Sequence, residues 1–432
     1  MILANGIVYQ SSEQERILEE LEDKINHTRL TENLTPQTVI DAVDKLGKCI
    51  AEGEFDILIK DILTDDFGVN IQDIARLLSR ENIEYKIKIE LGEDFFTPKN
   101  TSPPSGLPGI SYRAVPLGTL FHIAAGNADV LPAFTVAEGL LTGNVNILKL
   151  PQADNGLTLT ILQKLIEIEP ELKNFIYVFD TPSSDISAMK KMADMADGIV
   201  VWGGDSAVKA VRALASPGTK LIEWGHRLSF AYISGDWHVK LSDLAQLAEH
   251  IVKTEQLLCS SCQTIFINTD KMEDLTDFCR AFLPCLEEAR RKYPLTDIGA
   301  AAEMTLKTYT AELERALNGD DNSQPHVFHG TQCSLTACED SVLELSGLFG
   351  NCPVKRLPEK DMMSTLRAAK CYLQTAGLIA DSEDSARLTD LLIRCGVNRI
   401  MKVGNMSDTF SGESHDGEYS LRRYVRIVNI DS

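Results

Sequence analysis

Two cysteines that stand three positions apart are the residues in this sequence best suited to covalent chemistry. They lie in the stretch Cys259-Ser260-Ser261-Cys262. A thiol becomes a nucleophile once a neighbour lowers its pKa or removes its proton, and catalytic groups are common on loops held by a rigid frame. The alternative for this stretch alone is a loop with incidental cysteines.

A helix and a strand are expected on the two sides of this loop. Apolar residues recur at helical spacing from Leu244 to Val252, and Ser242 precedes them as the expected N-cap. The β-branched and aromatic run from Thr264 to Ile267 predicts a strand directly after the loop. The cysteines therefore lie in a predicted helix-to-strand connection.

The same cysteines form a CxxC pair, which can indicate redox chemistry or metal binding. A redox CxxC usually precedes a helix, whereas this pair precedes a predicted strand. No second CxxC or Cys/His pair with zinc-site spacing accompanies it, so we predict no metal site. Dithiol exchange by Cys259 and Cys262 ranks as the third alternative for the function.

Length, charge and cysteine usage limit the class of protein. The chain has 432 residues, which favours two large domains plus an arm. Its formal charge of −21 argues against nucleic acid and anionic membranes as partners. No apolar run approaches the ~20 residues of a membrane span, and no secretory signal is expected at the start. Ten scattered cysteines form no disulfide framework, so we expect a cytoplasmic protein.

Alternation of short apolar runs with helical stretches predicts the architecture. Residues 1 to about 105 are predicted to be mostly helical, and strands alternate with helices from Tyr112 to Ser234. This alternation predicts a parallel sheet covered on both faces, which binds ligands beyond the carboxyl ends of its strands. The predicted strands are Thr119–Ala124, Val145–Leu150, Phe175–Phe179, Ile199–Trp202 and Leu221–Glu223.

A second α/β section and a tail follow. We predict domains at residues 1–234, 235–404 and 405–432: a helical section joined to a first α/β domain, a second α/β domain that carries the cysteines, and a C-terminal arm. The arm ends in a possible strand, Tyr424–Val428. The predicted fold class is α/β, with two doubly wound domains and this arm.

Several polar residues and glycines follow predicted strands of the first α/β domain. The amide of Asn127 could donate a hydrogen bond to an oxyanion, and the ammonium of Lys149 could meet ribose or phosphate oxygens. Gly203 and Gly204 stand between a strand and a helix, where backbone and helix N-terminus favour an anionic ligand. Glu223 could act as a general base. Each residue also has an interpretation without a function: Asn127 as a turn residue, the two glycines as an ordinary turn, and Lys149 and Glu223 as solvated strand ends.

In combination, these residues resemble the aldehyde dehydrogenase superfamily. The order matches that family: Asn127, then Lys149, the glycine turn, the segment Glu223-Trp224-Gly225, and the cysteine. The interval from Glu223 to Cys259 is close to the family's interval between glutamate and nucleophile. Aligning the strand that follows selects Cys259, rather than Cys262, as the nucleophile.

The closer resemblance is to LuxC-type fatty acyl-CoA reductases, over about residue 110 to the end. Their cysteine lies in a Cys-Ser-Ser-Pro-Gln setting, where this chain has Cys262 in place of proline. The superfamily's Glu-x-Phe-Gly-Pro ribose motif is not evident here. Further family-like segments are Val201–Asp205, Gly225–Ala231, Val397–Ile400 with Gly404, and His415–Gly417 before Leu421-Arg422.

The resemblance implies NADPH-dependent reduction of a long-chain fatty acyl thioester to the aldehyde through an acyl-enzyme. It gives catalytic roles to Cys259, Asn127 and Glu223. It implies acyl-CoA or acyl-protein thioester as substrate, an acyl-protein synthetase as partner, and a homo-oligomer. The cofactor-binding residues that it implies are Lys149, Gln152, Gly203, Gly204, Trp224 and Gly225.

The expected preference for NADPH follows from one position in the resemblance to the aldehyde dehydrogenase superfamily. The superfamily often has a glutamate three residues past the strand-end lysine, where its charge repels a 2′-phosphate. This chain has the neutral Gln152 there, although Asp154 is nearby. Two alternatives to a reductase remain: an NAD(P)-dependent aldehyde dehydrogenase in which Glu223 activates water to hydrolyse the acyl-enzyme, and a non-catalytic acyl-carrier partner.

Overall fold

The computed structural model describes residues 1–56, 71–124, 131–152, 156–295 and 326–431, with single positions between 297 and 313. The strands in these ranges are β1 (Ile2–Ala4), β2 (Ile7–Tyr9), β3 (Lys99–Asn100), β4 (Ser111–Pro116), β5 (Thr119–Ile123), β6 (Val145–Lys149), β7 (Ile176–Phe179), β8 (Gly198–Trp202), β9 (Lys220–Trp224), β10 (Leu228–Ile233), β11 (Cys262–Ile267), β12 (His326–Gly330), β13 (Cys333–Cys338), β14 (Asn351–Arg356), β15 (Leu373–Ile379), β16 (Arg399–Met401) and β17 (Val425–Ile430).

The α-helices in the same ranges are α1 (Gln14–Thr31), α2 (Pro36–Ala51), α3 (Ile71–Leu77), α4 (Arg80–Leu91), α5 (Leu131–Leu141), α6 (Leu157–Ile168), α7 (Ile186–Asp194), α8 (Asp205–Leu214), α9 (Leu241–Lys253), α10 (Met272–Lys292), α11 (Met362–Ala368), α12 (Ser382–Cys395) and α13 (Ser420–Arg423). No helix in the described part of the chain is long and apolar enough to cross a membrane.

Two compact units divide the chain. Among the described residues, the first unit holds those up to Gly225 together with those from Phe410 onward, and the second holds those from His226 to Thr409. The sequence boundary was placed after Ser234. The observed boundary precedes β10 because β10 pairs with β11 and β15 in the sheet of the second unit. The predicted C-terminal arm is divided between the two units, because residues 405–409 belong to the second unit and the residues from Phe410 onward belong to the first.

The first unit contains a seven-stranded sheet in the order β2-β1-β7-β6-β5-β8-β9. Its five strands from β5 to β9 are parallel, as the strand–helix alternation predicted. The hairpin of β1 and β2 was not predicted, since the first 105 residues were expected to be mostly helical. Asn5 and Gly6 join the two strands with φ of 52° and 76°, as a tight hairpin turn requires, and β1 then pairs antiparallel with β7.

A second, smaller sheet in the first unit pairs the C-terminal strand of the chain with an earlier strand. Its order is β17-β4-β3, and β17 pairs antiparallel with β4 from Val425 to Ile430. This strand begins one residue later, and ends two residues later, than the Tyr424–Val428 predicted from the sequence. The Tyr424 side chain is instead fully buried against β5, β8 and β9.

The second unit contains another seven-stranded sheet, in the order β12-β13-β14-β11-β10-β15-β16. All pairs are parallel except β12 with β13. Alternate residues of β10 lie in different cores: Ala231 and Ile233 pack with α9 and α10, whereas Phe230 and Tyr232 pack with α11 and α12. Both faces of the sheet are therefore covered, which makes this domain doubly wound.

Helix α9 leads into the cysteine loop, and it begins earlier than predicted. Lys240 is its N-cap residue and Leu241 its first residue, so Ser242 lies inside the first turn rather than at the cap. The expectation of a Ser242 cap is wrong. The Lys240 side chain makes no capping bond. Its ammonium donates instead to the carbonyl oxygen of Ala380, which fixes this end of the helix against another part of the domain.

Candidate active site

The CxxC pair divides into one exposed and one buried thiol. Cys259 is exposed in a tight turn, in which the Ser261 N–H donates to the Leu258 carbonyl at 3.0 Å and the Leu258 N–H donates to Ser261 Oγ at 3.1 Å. Cys262 is the first residue of β11 and has no exposed surface. Of the two thiols, only that of Cys259 is accessible to a substrate.

Buried polar contacts hold the backbone that leads to this turn. Glu255 and Gln256 both have positive φ, 46° and 62°, which costs a non-glycine residue roughly 1–2 kcal/mol. The Glu255 carboxylate holds this conformation by pairing through both oxygens with the buried guanidinium of Arg290. Gln256 donates to the Cys262 carbonyl at 3.0 Å and accepts from the Gly350 N–H at 3.1 Å. The turn is therefore presented by a pre-organised support.

The amino ends of β10 and β15 supply direct contacts to Cys259. Ser229 Oγ donates to the Cys259 carbonyl at 2.7 Å and accepts from the Thr375 N–H at 3.1 Å. The Gln374 side-chain amide donates to Cys259 Sγ at 3.4 Å. No motif singled out Gln374, and Ser229 was noted only within the family-like segment Gly225–Ala231. Their closeness to Cys259 depends on strand order and register rather than on spacing along the chain.

A neutral histidine fixes the start of β11. His250 Nε2 accepts a hydrogen bond from the Cys262 N–H at 3.2 Å, so the ring proton is on Nδ1. Burial lowers the pKa of His250 to about 4, and nearby Arg399 adds to this effect. Proline at the position of Cys262 would remove the N–H that donates here.

The remaining polar surroundings of Cys262 are structural. Its thiol donates to the Thr264 carbonyl at 3.5 Å within the core. Burial, with a further contribution from Cys262, raises the pKa of the neighbouring Cys352 thiol well above its ordinary value. Among the described residues there is no cluster of three or more His, Cys, Asp or Glu side chains able to hold a metal.

In the first unit, Lys149 ends β6 and is buried. Its Nζ donates to Ser183 Oγ at 2.9 Å, and burial lowers the pKa of the ammonium. No carboxylate pairs with it among the described residues, so an anionic ligand would relieve the cost of burying its charge. Gln152 is exposed in the turn that follows. Asn127 and Asp154 lie outside the described residues.

The glycine turn connects β8 to α8. The Gly203 N–H donates to the Trp224 carbonyl at 3.1 Å, and Gly204 is the N-cap residue of α8. A Cβ on Gly203 would come within 3.0 Å of Ala207, whereas one on Gly204 would meet open space. The backbone at Gly204 is therefore approachable from outside at a helix N-terminus, which favours anionic groups.

An aromatic cluster lies beside this turn. The rings of Trp202 and Trp224 are 5.5 Å apart, and the ring of His415 is 5.0 Å from each of them. His415 begins a tight turn in which Asp416 and Gly417 have φ of 51° and 81°. The His-Asp-Gly segment was noted in the sequence only as family-like. The structure places it next to the predicted cofactor-binding residues of β8 and β9.

Glu223 in β9 is engaged by an arginine. Arg212 of α8 donates to both of its carboxylate oxygens, at 2.5 and 2.6 Å. The side chain of Glu223 is thus oriented by a two-pronged contact with a guanidinium. Gly225 follows β9 at the end of the first unit. Lys149, Gly203, Gly204, Glu223 and Trp224 all lie at carboxyl ends of strands in one sheet.

The two α/β domains and the placement of these residues define an aldehyde dehydrogenase-like fold. A betaine aldehyde dehydrogenase from Staphylococcus aureus without cofactor is similar over 100% of this chain and 91% of its own, with a TM-score of 0.71 and 13% identity. The enzyme from the same organism in complex with NAD⁺ is similar over 97% of this chain and 87% of its own, with a TM-score of 0.70 and 14% identity.

The sequence narrows this class to one family. The family described as acyl-CoA reductase (LuxC) matches residues 32–427, and the chain belongs to it. A long-chain acyl-protein thioester reductase of Photobacterium leiognathi is 24% identical over 330 residues, covering 73% of this chain and 65% of that protein. The reductase of Photorhabdus luminescens is 28% identical over 326 residues, covering 73% and 64%. The match thus spans slightly less than two thirds of these relatives.

Proposed function

We propose that this protein reduces long-chain fatty acyl thioesters to aldehydes, with NADPH as cofactor and a covalent acyl group on Cys259. The observation that supports this most directly is the exposed Cys259 thiol, which sits on a buried, hydrogen-bonded support and accepts a bond from Gln374. Membership of the acyl-CoA reductase family agrees with such a nucleophile. The names of the similar reductases indicate the substrate class, a long-chain acyl group on a protein thioester.

The chain's own residues would perform the acyl transfer. The thiolate of Cys259 attacks the carbonyl carbon of the thioester, a new C–S bond forms, and the carrier leaves as a thiolate that takes up a proton. Asn127 and the backbone N–H near Cys259 are proposed to donate to the oxyanion, and one such donor is typically worth ~3–4 kcal/mol. When bound, the nicotinamide supplies a hydride to the acyl carbon. Cleavage of the C–S bond then releases the aldehyde and restores the thiolate.

The described residues of the first unit are chemically suited to bind a nicotinamide dinucleotide. The buried ammonium of Lys149 is bonded to Ser183, and an anionic or hydroxyl-bearing ligand would add partners to it. Gly204 offers backbone at the start of α8 without steric hindrance. Lys149, Gly203, Gly204, Trp224 and Gly225 would hold the nucleotide there, at the strand ends where doubly wound sheets bind ligands.

The preference for NADPH rests on Gln152. An exposed neutral side chain at this position does not repel a 2′-phosphate, whereas a carboxylate would. The relatives' names do not state which nicotinamide they use, so cofactor choice remains a separate proposal. An acyl-protein synthetase as partner and a homo-oligomeric state are likewise proposals that follow from the family.

Glu223 is proposed to handle protons rather than to activate water. A reductase must protect its acyl-enzyme from hydrolysis until hydride arrives. Arg212 donates to both carboxylate oxygens of Glu223 and fixes the orientation of the carboxylate, so only the lone pairs that the guanidinium leaves open can accept from another group. If Glu223 instead takes the proton from the thiol of Cys259, Glu223→Gln should slow acylation by about 10²–10⁴-fold.

Single-turnover acylation followed by a divided chase tests the proposal. The protein is incubated with acyl-CoA of increasing chain length, and the acyl-enzyme is measured by intact-protein mass spectrometry. Acylation efficiency should rise from acetyl-CoA to tetradecanoyl-CoA, since each buried methylene adds roughly 0.8 kcal/mol. One half is then chased with NADPH and the other with buffer. Aldehyde should form rapidly only with NADPH, while equally rapid release of free fatty acid in buffer would favour a hydrolytic dehydrogenase. Absence of acylation with every acyl-CoA would favour the alternative that the protein is a non-catalytic acyl-carrier partner.

A further inference from the structure

We propose that Gln374 is a catalytic residue that stabilises the anionic form of the Cys259 thiol by donating a hydrogen bond from its side-chain amide. This role deepens the proposed function and depends on it only in taking Cys259 as the nucleophile. No sequence motif singled out Gln374. It lies 115 positions after Cys259 and reaches it through the fold of the second unit.

The contact joins a buried donor to an exposed acceptor. Gln374 is 6% exposed, whereas Cys259 is exposed, and Nε2 lies 3.4 Å from Sγ. An amide N–H is a donor only, so at this atom the sulfur must accept. A hydrogen bond to a charged acceptor is stronger than one to a neutral acceptor, and the bond therefore favours the thiolate over the thiol.

An irregularity in strand pairing places Gln374 there. Leu228 of β10 pairs with Leu373 of β15, and Phe230 pairs with Ala376, so Ser229 faces two residues, Gln374 and Thr375. β10 and β11 also change register directly after Ser229. Bulges of this kind re-aim side chains and are common beside active sites.

Both bulge residues act on Cys259. The Thr375 N–H donates to Ser229 Oγ, which in turn donates to the Cys259 carbonyl, so this chain of bonds fixes the backbone of the nucleophile. Gln374 contacts the sulfur itself. The bulge therefore contacts Cys259 at its carbonyl oxygen and at its sulfur. Only the contact with the sulfur becomes stronger when the thiol loses its proton.

The position of the cysteine after a helix makes such a donor useful. Cys259 lies six residues after Lys253, the last residue of α9, and is followed by β11 rather than by a helix, so it does not stand at the start of a helix. Thiols activated by a helix are found at its N-terminus. A neutral donor such as the amide of Gln374 stabilises negative charge on sulfur without placing a permanent charge in the site.

A second buried glutamine provides a matched comparison. Gln263 is 3% exposed; its amide donates to the Gln256 carbonyl at 2.7 Å, and its Oε1 accepts from the N–H and hydroxyl of Ser346. These bonds join parts of the backbone and do not involve Sγ of Cys259. Loss of Gln263 should lower stability, whereas loss of Gln374 should alter the ionisation of the thiol.

The test is the pH dependence of alkylation by iodoacetamide, measured on the full chain. Peptide mass spectrometry reports the rate at Cys259 and, as an internal reference, at the exposed Cys371. Gln374→Leu should move the midpoint for Cys259 upward by about one pH unit, so that alkylation below the midpoint slows roughly tenfold. Gln374→Glu should move the midpoint further, because a carboxylate disfavours the thiolate. The limiting rate at high pH should stay within about threefold of wild type.

The controls separate this role from a structural one. Gln263→Leu should leave the midpoint for Cys259 unchanged, and Cys371 should behave alike in all variants. Gln374→Met replaces Gln374→Leu if the latter does not fold, as judged by circular dichroism. Unchanged midpoints in the Gln374 variants would overturn the proposal, and so would an equal loss of rate at every pH. The assay needs no acyl substrate, so failure of the proposed function in the acylation experiment is a separate result.

Discussion

The two seven-stranded sheets use opposite ends for their candidate functional groups. In the first unit, Lys149, the glycine turn and Glu223 lie at the carboxyl ends of β6, β8 and β9. In the second unit, Cys259 precedes β11, and its contacts Ser229 and Gln374 lie at the amino ends of β10 and β15. Both sheets are mainly parallel and largely buried, so strand direction alone does not decide where a site forms.

The difference follows from what each site must bind. Carboxyl ends of parallel strands lead into helix N-termini, whose N–H groups attract anions such as nucleotide phosphates. A cysteine nucleophile needs an exposed turn and nearby donors, and the bulge at Ser229 supplies these at the other end. The rule that ligands bind at the carboxyl ends of strands therefore predicts the candidate site of the first sheet. It does not predict the position of the Cys259 thiol in the second sheet.

The largest expected effect is loss of the thiol in the second unit. Cys259→Ala should abolish acylation by acyl-CoA, because the acyl group has no other accessible acceptor in the CxxC pair. Intact-protein mass spectrometry measures this directly. The matched control is Cys262→Ser, whose hydroxyl can donate to the Thr264 carbonyl as the thiol does. It should cost about 1 kcal/mol of stability and retain most of the acylation. Acylation of Cys259→Ala at the wild-type rate would disprove the assignment.

Acid should weaken both units in the same pH range. Burial lowers the pKa of His122 in β5, and of His250 in α9, to about 4 from an ordinary 6.5. Between these values the unfolded chain binds protons that the folded chain does not, so stability falls as pH drops from about 6.5 to 4. The loss reaches about 3 kcal/mol per histidine.

Hydrogen exchange resolved by unit measures this loss. His250→Gln should flatten the pH dependence in the second unit only, and His122→Gln in the first only. His122 Nε2 bonds Asn146 at 3.0 Å, and a glutamine can keep a polar contact there, as it can with the Cys262 N–H. An unaltered slope in both variants would show that these rings are protonated in the folded state.

Cofactor preference should respond to a single charge in the first unit. Gln152→Glu should lower kcat/KM for NADPH relative to NADH by about fivefold to tenfold, since two exposed like charges at close range cost roughly 1 kcal/mol. Steady-state kinetics with both cofactors measure the ratio. Gln152→Ala, which adds no charge, should leave the ratio nearly unchanged. A wild-type protein that prefers NADH would contradict the proposal.

The smallest expected effect concerns the pair of Arg212 and Glu223. Arg212→Gln should release the carboxylate and speed hydrolysis of the acyl-enzyme severalfold in buffer without cofactor, because Glu223 is then free to reorient and accept a proton from water. Arg212→Lys keeps a charge but loses the two-pronged contact, so an intermediate rate is expected. Hydrolysis at the wild-type rate in both variants would show that Glu223 does not limit water attack.

Local pattern predicted much of the first sheet correctly. Its five parallel strands match the predicted ones within one residue at each end. Continuous apolar runs between helical stretches carry this information because strands buried on both faces need no polar alternation. The β1–β2 hairpin was missed, although Asn5-Gly6 is a hairpin signal, because its strands are only three residues long.

The sequence by itself determined the α/β class and the family, since residue types and their order carry that information. It also predicts Cys259 as the nucleophile from the strand that follows, and this assignment stays a prediction. The oxyanion role of Asn127 stays a prediction because the residue lies outside the described ranges. Only the tertiary structure decided that Cys262 is buried, that Arg212 holds Glu223, and that Ser229 and Gln374 contact Cys259. The contact of Gln374 with Cys259 joins positions 115 residues apart, and it depends on strand order and on one bulge, neither of which leaves a periodic trace along the chain.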